Sequence, residues 1–251
     1  MQQLITKLKA FKLAGMVNCL EDRISYANSN SLSHTQFLEL LCEDESNNRS
    51  DNSYNKRVSK AKLPALKTIE EFDFNFQTSI DKRQINDAIT CQYIKEKRNI
   101  IFIGNPGTGK THLSIALGLK ALLKEKKVFF TTVSDMLYKL HISKADNSYY
   151  KKLEEYLSPD LLIMDELGFK KIPDYSGSDF FDVISKRYEK GSSIITTNKS
   201  FEQWNDIFAD NILSSAILDR VVHHSIIFRI NGPSYRTKNI KNYDGGSDVK
   251  T

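Results

Sequence analysis

The sequence predicts an α/β fold in which a central five-stranded parallel sheet is flanked by helices, with a small helical domain before it. Two observations support this fold. Five short runs between residues 100 and 230 are almost entirely apolar, which is typical of parallel strands that are covered on both faces. The stretches between them are long enough for crossover helices, so the pattern predicts repeated βαβ units. The predicted strands are IIFIG (100–104), VFFTTV (128–133), LLIMD (161–165), SIITTN (193–198) and SIIFRI (225–230).

The residues before the first predicted strand have a helical pattern. Leu4, Leu8 and Phe11 recur at helical spacing, and a second apolar stripe lies at residues 37–41. The run DESNNRSDNSYN that follows is strongly polar and predicts a hinge or surface loop. We therefore expect a helical N-terminal domain with a basic linker at residues 1–60, a core at 61–236 and a flexible C-terminal tail at 237–251.

The composition is that of an ordinary globular protein, with 40% hydrophobic and 27% charged residues. No apolar run approaches the ~20 residues that a membrane-spanning helix needs. Lys7, Lys9 and Lys12 interrupt the apolar N-terminus, which argues against an export signal. We therefore expect a cytoplasmic protein without membrane contact, whose three widely spaced cysteines are reduced and buried. The net charge of +5 is compatible with a polyanionic partner but does not require one.

The strongest chemical signal is a phosphate-binding loop at residues 104–111. The segment GNPGTGKT fits G-x-x-x-x-G-K-[ST] without a mismatch, between a predicted strand and a predicted helix. Its glycines allow backbone conformations that a β-carbon would obstruct, so that N–H groups converge on phosphate oxygens at the positive end of a helix. We expect Lys110 to reach the β- and γ-phosphates of ATP, and the Thr111 hydroxyl to ligate Mg²⁺. The predicted nucleotide-binding residues are Gly104, Asn105, Pro106, Gly107, Thr108, Gly109, Lys110, Thr111 and His112.

Two carboxylates, Asp165 and Glu166, follow the buried strand LLIM. Carboxylates in such a place are costly unless a cation or a reaction uses them. We expect Asp165 to hold Mg²⁺ and Glu166 to polarise the water that attacks the γ-phosphate. The alternative is an ordinary strand end with solvated acids; the phosphate-binding loop favours the catalytic interpretation.

Two further residues are candidates for contact with the γ-phosphate. Asn198 ends the strand SSIITT and could orient the attacking water, although it could instead cap the helix that follows. Arg220 lies on an amphipathic helix, and its planar guanidinium suits the γ-phosphate of a neighbouring subunit, with a salt bridge to Asp219 as the alternative. Adjacent residues diverge on a helix, so we favour packing or partner contact over metal binding for His223 and His224.

Several of these segments together resemble a known family. GNPGTGKTHLSIALG, DLLIMDELGF, ISKRYEKGSSIITTN, AILDRVVHH and GPSYR follow one another in the order found in IstB-like proteins. These are the ATP-binding helpers of insertion-sequence transposases, relatives of the DnaC helicase loaders within the AAA+ superfamily. The resemblance runs from about residue 60 to 236.

The resemblance implies an AAA+ core without the usual helical lid, in which the strand before Asn198 lies between the phosphate-loop strand and the acidic strand. It implies DNA-stimulated ATP hydrolysis by ATP-dependent homo-oligomers on duplex DNA, which recruit and stimulate a cognate transposase in transposition. Asn198 matches the first sensor and Arg220 the finger that acts on a neighbouring subunit. Arg236, in GPSYR, matches the place of a second nucleotide-sensing arginine.

A basic stretch lies between Arg49 and Lys67, where Asp51 is the single acid. Phosphate contacts from such a stretch would position DNA without reading its sequence, as a helper that accepts many target sites requires. A solvated linker is the alternative. The candidate DNA-binding residues are Lys56, Arg57, Lys60 and Lys62. The segment FDFNF (72–76) next to it predicts packing either near the adenine or in the ordinary core.

Two other functions remain open from the residues. A helicase loader of the DnaC kind would use the same core and differ in what its N-terminal helices bind. A P-loop kinase would need an acceptor pocket and an arginine-bearing lid, and we identify neither in the sequence.

Overall fold

The structure is a computed structural model that describes residues 1–173, 176–208 and 210–237. It divides into two compact units, Met1–Ser59 and Lys60–Thr251. The flexible tail predicted at 237–251 lies, apart from Thr237, outside the described residues.

The first unit consists of helices, as the sequence predicts. They are α1 (Gln2–Ala10), α2 (Ala14–Ser29) and α3 (His34–Ala61). The last two residues of α3 belong to the second unit. The polar run DESNNRSDNSYN lies inside α3, so the predicted hinge is wrong. The run contains neither Gly nor Pro, and side chains four residues apart support the helix through it: Arg49 Nε lies 2.6 Å from Glu45 Oε1.

A buried carboxylate joins α2 to α3. Glu45 is only 5% exposed, and its Oε2 accepts hydrogen bonds from the backbone N–H of Gly15 at 2.7 Å and of Met16 at 3.3 Å. These two amides belong to the first turn of α2, which has no side-chain cap of its own. A β-carbon on Gly15 would lie 2.7 Å from the carbonyl oxygen of Asp44, so glycine is required for the close approach. The hydrogen bond from Arg49, followed by those from the two amides, lowers the pKa of Glu45.

The second unit contains a parallel sheet of five strands, which confirms the predicted fold class. The strand order is β2-β3-β4-β1-β5, so β4 lies between the phosphate-loop strand β1 and the acidic strand β3, as the resemblance implies. The elements are α4 (Lys82–Ile89), α5 (Gln92–Lys95), β1 (Asn99–Gly104), α6 (Lys110–Leu123), β2 (Val128–Thr132), α7 (Val133–Ile142), α8 (Tyr149–Leu157), β3 (Leu161–Leu167), α9 (Gly177–Arg187), β4 (Ser192–Thr197), a short 3₁₀ helix (Phe201–Asp206), α10 (Asn211–His223) and β5 (Ser225–Ile230).

The core lies on both faces of this sheet, because successive residues of a strand point to opposite faces. On one face, Ile101, Leu162 and Ile195 pack in one buried cluster with residues of α7, α8, α9 and α10. The long apolar helix α6 packs against strands β1 to β4. At Gly118 the helix lies so close to β3 that a β-carbon would be 2.8 Å from Cδ1 of Ile163. The carboxyl ends of the strands are left free to carry polar side chains, as is usual in open α/β sheets.

Arg187, at the end of α9, forms hydrogen bonds with several chain segments at the amino edge of the sheet. Its side chain is buried, and burial lowers its pKa to about 10. The guanidinium donates hydrogen bonds to the carbonyl oxygens of Tyr156, Leu157, Pro159 and Ser192 and to the Ser193 hydroxyl. This arginine therefore fixes the end of α8 and the start of β4.

The expectation of three buried thiols holds for Cys91 only. Cys19 is half-buried and Cys42 is exposed on α3, so the prediction is wrong for Cys42. After β5, the described residues 231–237 contain turns but no helix, in agreement with the absence of a helical lid from this part of the chain. Among the helices that the structure describes, none is long and apolar enough to cross a membrane.

Candidate nucleotide site

The phosphate-binding loop connects the end of β1 to the first residue of α6. Gly107 and Gly109 have φ angles of 79° and 93°, in the left-handed region that favours glycine. A β-carbon on Gly107 would collide with Ser234, and one on Gly109 would lie 2.6 Å from the ring of Phe72. These two glycines are therefore required both by the turn and by what packs against it, and the loop ends at the positive end of the α6 dipole.

Lys110 is held inside this loop. Its Nζ donates hydrogen bonds of 2.8 Å to the carbonyl oxygens of Gly104 and Asn105. The buried Thr108 hydroxyl donates to the same Asn105 carbonyl at 2.9 Å. Burial lowers the pKa of Lys110, the carboxylate of Asp165 opposes that shift, and the positive charge of Arg236 adds to it. An anion in the loop would relieve this unfavourable environment of the ammonium group.

Thr111 and Asp165 lie together at the carboxyl edge of the sheet. The Thr111 hydroxyl is 2.9 Å from Asp165 Oδ1 and 3.0 Å from Oδ2. The carboxylate is only 4% exposed, and the hydroxyl of Thr196 on β4 also donates to it. Thr196 in turn accepts a hydrogen bond of 2.9 Å from the backbone N–H of Glu166. The spacing of residues along the sequence does not predict this bridge by Thr196.

The residues present fit Mg²⁺. A hydroxyl and a carboxylate side by side, here those of Thr111 and Asp165, are the protein ligands that P-loop proteins give this ion. In the described ranges, no group of three or more His, Cys, Asp or Glu side chains could hold a metal by itself. The site therefore suits an ion that arrives with a nucleotide.

Glu166 projects from an irregular end of β3. Its φ angle is 64°, the pairing of β3 with β4 shifts register between Met164 and Leu167, and Gly168 has a φ of 81°. A non-glycine residue in the left-handed region is uncommon, and such conformations cluster at functional sites. The bulge leaves Glu166 exposed beside the buried Asp165, where its side chain lines the main cavity.

The main cavity has a volume of about 620 Å³, the size of a small-molecule site. Polar residues of the loop, Glu166 and the end of β4 line one part of it, and apolar residues such as Phe72 and Ile115 line another. His112 fixes part of this wall, because its Nε2 lies 2.7 Å from the Thr68 carbonyl oxygen and its ring packs edge-on against Phe72. Phe72 is also buried, so it belongs to the core and to the cavity at once.

A C-terminal segment, which we call the strap (residues 232–236), lies against the loop. Its Tyr235 donates its backbone N–H to the Gly107 carbonyl at 2.8 Å and its hydroxyl to the Asp73 carbonyl at 2.7 Å. The side chain of Gln77 donates to the Pro233 carbonyl at 2.6 Å. The strap thereby brings Arg236 into the lining of the main cavity.

The structure places Asn198 in the same lining, at the end of β4. The helix-cap alternative is excluded, because the residue that caps the following 3₁₀ helix is Ser200, in a capping box with Gln203.

Arg220 lies elsewhere. It lines a crevice with Asn99 and Ser193, at the amino ends of β1 and β4, whereas the main cavity lies at the carboxyl ends. Its guanidinium donates to the Ala216 carbonyl at 2.9 Å and lies 4.9 Å from the ring centroid of Phe181. Among the residues that the structure describes, no carboxylate forms an ion pair with Arg220, so the Asp219 alternative is not observed.

The neighbouring histidines both contact residues that follow the end of α9. His223 Nδ1 lies 3.0 Å from the Tyr188 hydroxyl, and His224 Nε2 lies 3.4 Å from Glu189 Oε1.

Three of the four candidate DNA-binding residues are helical. Lys56, Arg57 and Lys60 lie on the last turns of α3, and Lys62 follows its end. Lys62 is exposed, yet its Nζ lies 4.9 Å from the ring centroid of Phe129.

Comparison with known proteins gives concordant results. The sequence model of a family described as IstB-like ATP binding protein matches residues 6–242. A protein of Geobacillus stearothermophilus, described as an ATP-binding protein of insertion sequence IS5376, is 40% identical over 213 residues, or 85% of each chain. One of Bacillus thuringiensis, from insertion sequence IS232, is 39% identical over 94% of this chain and 95% of its own.

Solved structures show the AAA+ fold. The DnaC helicase loader superposes with a TM-score of 0.52 at 24% identity, over 59% of this chain and 86% of its own. AMPPCP-bound DnaA from Aquifex aeolicus superposes with a TM-score of 0.55 at 21% identity, over 67% of this chain and 51% of its own.

Proposed function

We propose that this chain, which belongs to the family of IstB-like ATP-binding proteins, is an AAA+ ATPase that assists DNA transposition. It binds ATP with Mg²⁺, assembles as a homo-oligomer on duplex target DNA, and recruits and stimulates a transposase. The observation that carries the proposal is the contact of Thr111 with the buried Asp165, at a cavity of nucleotide size that Lys110, Thr111 and Glu166 line.

Each residue at this cavity has a separate role in binding or hydrolysing ATP. On nucleotide binding, Lys110 exchanges the two loop carbonyls for β- and γ-phosphate oxygens. Thr111 and Asp165 hold Mg²⁺, which when bound neutralises charge that develops on the phosphates. Glu166 accepts a hydrogen bond from the attacking water and Asn198 orients that water. Arg236, presented by the strap, senses the γ-phosphate within the same chain.

The position of Arg220 supports hydrolysis between subunits. It lies at the amino edge of the sheet, so it cannot reach the cavity of its own chain at the carboxyl edge. In an oligomer of head-to-tail contacts it would complete the cavity of the next subunit. Lys56, Arg57, Lys60 and Lys62 then supply phosphate contacts that are independent of DNA sequence.

The test is the rate of ATP hydrolysis with and without duplex DNA. We expect stimulation by DNA, and we expect Glu166→Gln to bind ATP normally but to hydrolyse it about 100-fold more slowly or worse. Glu154→Gln removes the same charge from the exposed face of α8 and serves as the control. Normal turnover by Glu166→Gln would remove the water-polarising role, and turnover that ignores DNA would remove the DNA-dependent switch.

The partner requires a separate measurement. We expect the full chain to capture the transposase whose reading frame neighbours its own. Capture of a replicative helicase instead would favour a loader of the DnaC kind.

A further inference from the structure

A segment without helix or strand forms part of the lining of the main cavity. This segment, which we call the wall segment (residues 64–72), follows α3. Its side chains in the lining are those of Pro64, Ala65, Lys67, Glu71 and Phe72. A local turn shapes its end, because the Thr68 N–H donates to Glu71 Oε2 at 3.0 Å. Such a turn does not fix the segment relative to the phosphate-binding loop, so its position depends on contacts with other elements.

Helix α6 supplies two polar contacts to the wall segment. His112 and Lys120 make them from one side of the helix, because residues eight apart lie on the same side. His112 Nε2 lies 2.7 Å from the Thr68 carbonyl oxygen. A carbonyl oxygen only accepts, so this ring nitrogen carries the proton and donates. Lys120 Nζ lies 2.9 Å from Glu70 Oε1, but the Glu70 side chain is 66% exposed, and exposed ion pairs contribute little. His112 therefore makes the stronger of these two contacts.

The ring of His112 also joins the wall segment to the phosphate-binding loop. It packs edge-on against Phe72, with the ring centroids 5.5 Å apart. Phe72 in turn lies against Gly109 of the loop, where a β-carbon would be 2.6 Å from Cε2 of the Phe72 ring. The wall segment therefore begins directly beside the groups that hold phosphates. A triphosphate in the loop leaves the base and the ribose to the rest of the cavity, whose apolar lining suits the flat faces of a base.

We propose that the wall segment binds the nucleobase of ATP and that His112 is the residue that positions this segment. The inference rests on the proposed function, because it concerns the same nucleotide site. The hydrogen bond of His112 goes to Thr68, whereas Lys110 and Thr111 serve the phosphate end of the nucleotide. His112 is thus a positioning residue that acts through the wall segment. It sets the affinity for the base and the ribose and contributes little to the affinity for the phosphates.

The experiment uses the full chain and two probes, both with Mg²⁺: a non-hydrolysable ATP analogue and inorganic tripolyphosphate, which has no base. His112→Leu removes the donor, His112→Gln keeps an N–H donor at similar reach, and Lys120→Met removes the exposed contact with the same segment. Calorimetry measures the dissociation constants. We expect His112→Leu to bind the ATP analogue about 10-fold more weakly, because a hydrogen bond and a ring contact that order the wall segment are lost.

The other binding constants should change little. Tripolyphosphate should bind His112→Leu within about twofold of its affinity for the unchanged protein, and His112→Gln and Lys120→Met should bind the ATP analogue within roughly threefold. Steady-state hydrolysis with saturating duplex DNA gives a second measurement. We expect His112→Leu to raise KM for ATP about 10-fold and to leave kcat within roughly twofold, since Glu166 and Asn198 act at the phosphate end.

The outcomes separate this inference from the proposed function. If the unchanged protein does not bind the ATP analogue, nucleotide binding fails, and the proposed function fails with it. If it binds, equal weakening of both probes by His112→Leu, or a fall in kcat with KM unchanged, would show that His112 supports the phosphate-binding loop, and the inference would be wrong. An affinity for the ATP analogue as low in His112→Gln or in Lys120→Met as in His112→Leu would also overturn it, because the hydrogen bond from His112 would then have no special role.

Discussion

Thr196 lies where β4 passes between β1 and β3, and its hydroxyl group joins the two acidic residues of the candidate site. It donates to the carboxylate of Asp165 and accepts from the backbone N–H of Glu166. Thr196 is 1% exposed, so water cannot replace either hydrogen bond. The hydroxyl therefore fixes Asp165 and, through the backbone, the bulge that presents Glu166.

Replacing Thr196 by valine keeps the shape of the side chain and removes both hydrogen bonds. We expect a loss of about 1–3 kcal/mol in the free energy of unfolding, because the Glu166 N–H loses its acceptor and the buried Asp165 carboxylate loses one of its two hydroxyl donors. We expect turnover to fall roughly 10-fold to 100-fold, since groups that orient metal ligands commonly have effects of that size. Urea unfolding and ATP turnover measure the two quantities.

Thr131→Val is the matched control, because Thr131 is a buried threonine of β2 whose hydroxyl donates only to a backbone carbonyl, that of Thr132. Equal turnover in the two valine variants would contradict the orienting role of Thr196.

The sequence predicts a site residue when its position follows from neighbouring residues along the chain, and not when it depends on which strands are adjacent in the sheet. Lys110 and Thr111 follow from the loop motif, and Asp165 from its position at the end of a buried strand; the structure brings these three together. The bridge made by Thr196 depends on which strands are neighbours, and spacing along the chain does not contain that information. The positive φ of Glu166 has no sequence signal either, because glutamate rarely adopts it.

The strap is the element that takes the place of a lid in the described part of the chain. Tyr235 is its central residue: its ring packs against Phe76 at a centroid distance of 4.6 Å and against Phe72 at 5.9 Å, and its backbone holds Gly107. Ring packing and the backbone hydrogen bond therefore both hold the strap against the phosphate loop, and the strap places Arg236 in the lining of the main cavity.

We accordingly expect Tyr235→Ala to weaken ATP binding by about 10-fold or more, because the half-buried ring contacts are lost and Arg236 gains conformational freedom. Tyr235→Phe loses one hydrogen bond to the Asp73 carbonyl and should stay within roughly fivefold of the unchanged protein. Titration with a fluorescent ATP analogue measures both. If both variants bind equally weakly, the hydroxyl rather than the ring supports the strap.

The apolar pattern predicts the strands correctly, whereas the polar run inside α3 wrongly predicts a hinge or surface loop. All five strands were predicted within two residues, because buried parallel strands are continuous apolar runs. The prediction interrupts helix α3 at residues 44–55, whose Asn, Ser and Asp are weak helix formers. Each costs only a fraction of a kcal/mol, and pairs such as Glu45–Arg49 offset part of it.

At the scale of the whole molecule, two sets of functional residues lie at opposite edges of one sheet. Glu166 lies with the nucleotide cavity at the carboxyl edge, and Arg220 lies at the amino edge. Under the proposed function, one chain would carry half of each of two composite sites, and an isolated subunit would complete neither. This arrangement predicts that two inactive variants can rescue one another.

Arg220→Ala and Glu166→Gln should each be nearly inactive alone, yet mixing them in equal amounts before assembly should restore hydrolysis. The Arg220→Ala chain keeps Glu166 in its own cavity. If the neighbouring chain is Glu166→Gln, that neighbour supplies an intact Arg220, and the cavity is complete. With random order in a head-to-tail assembly, about a quarter of the cavities have both groups, so turnover should recover to about a quarter of that of the unchanged protein. ATP hydrolysis in the presence of duplex DNA measures the recovery, with each variant at the same total concentration as the control. If mixed oligomers form but turnover stays at the level of the separate variants, Arg220 does not act on the neighbouring cavity.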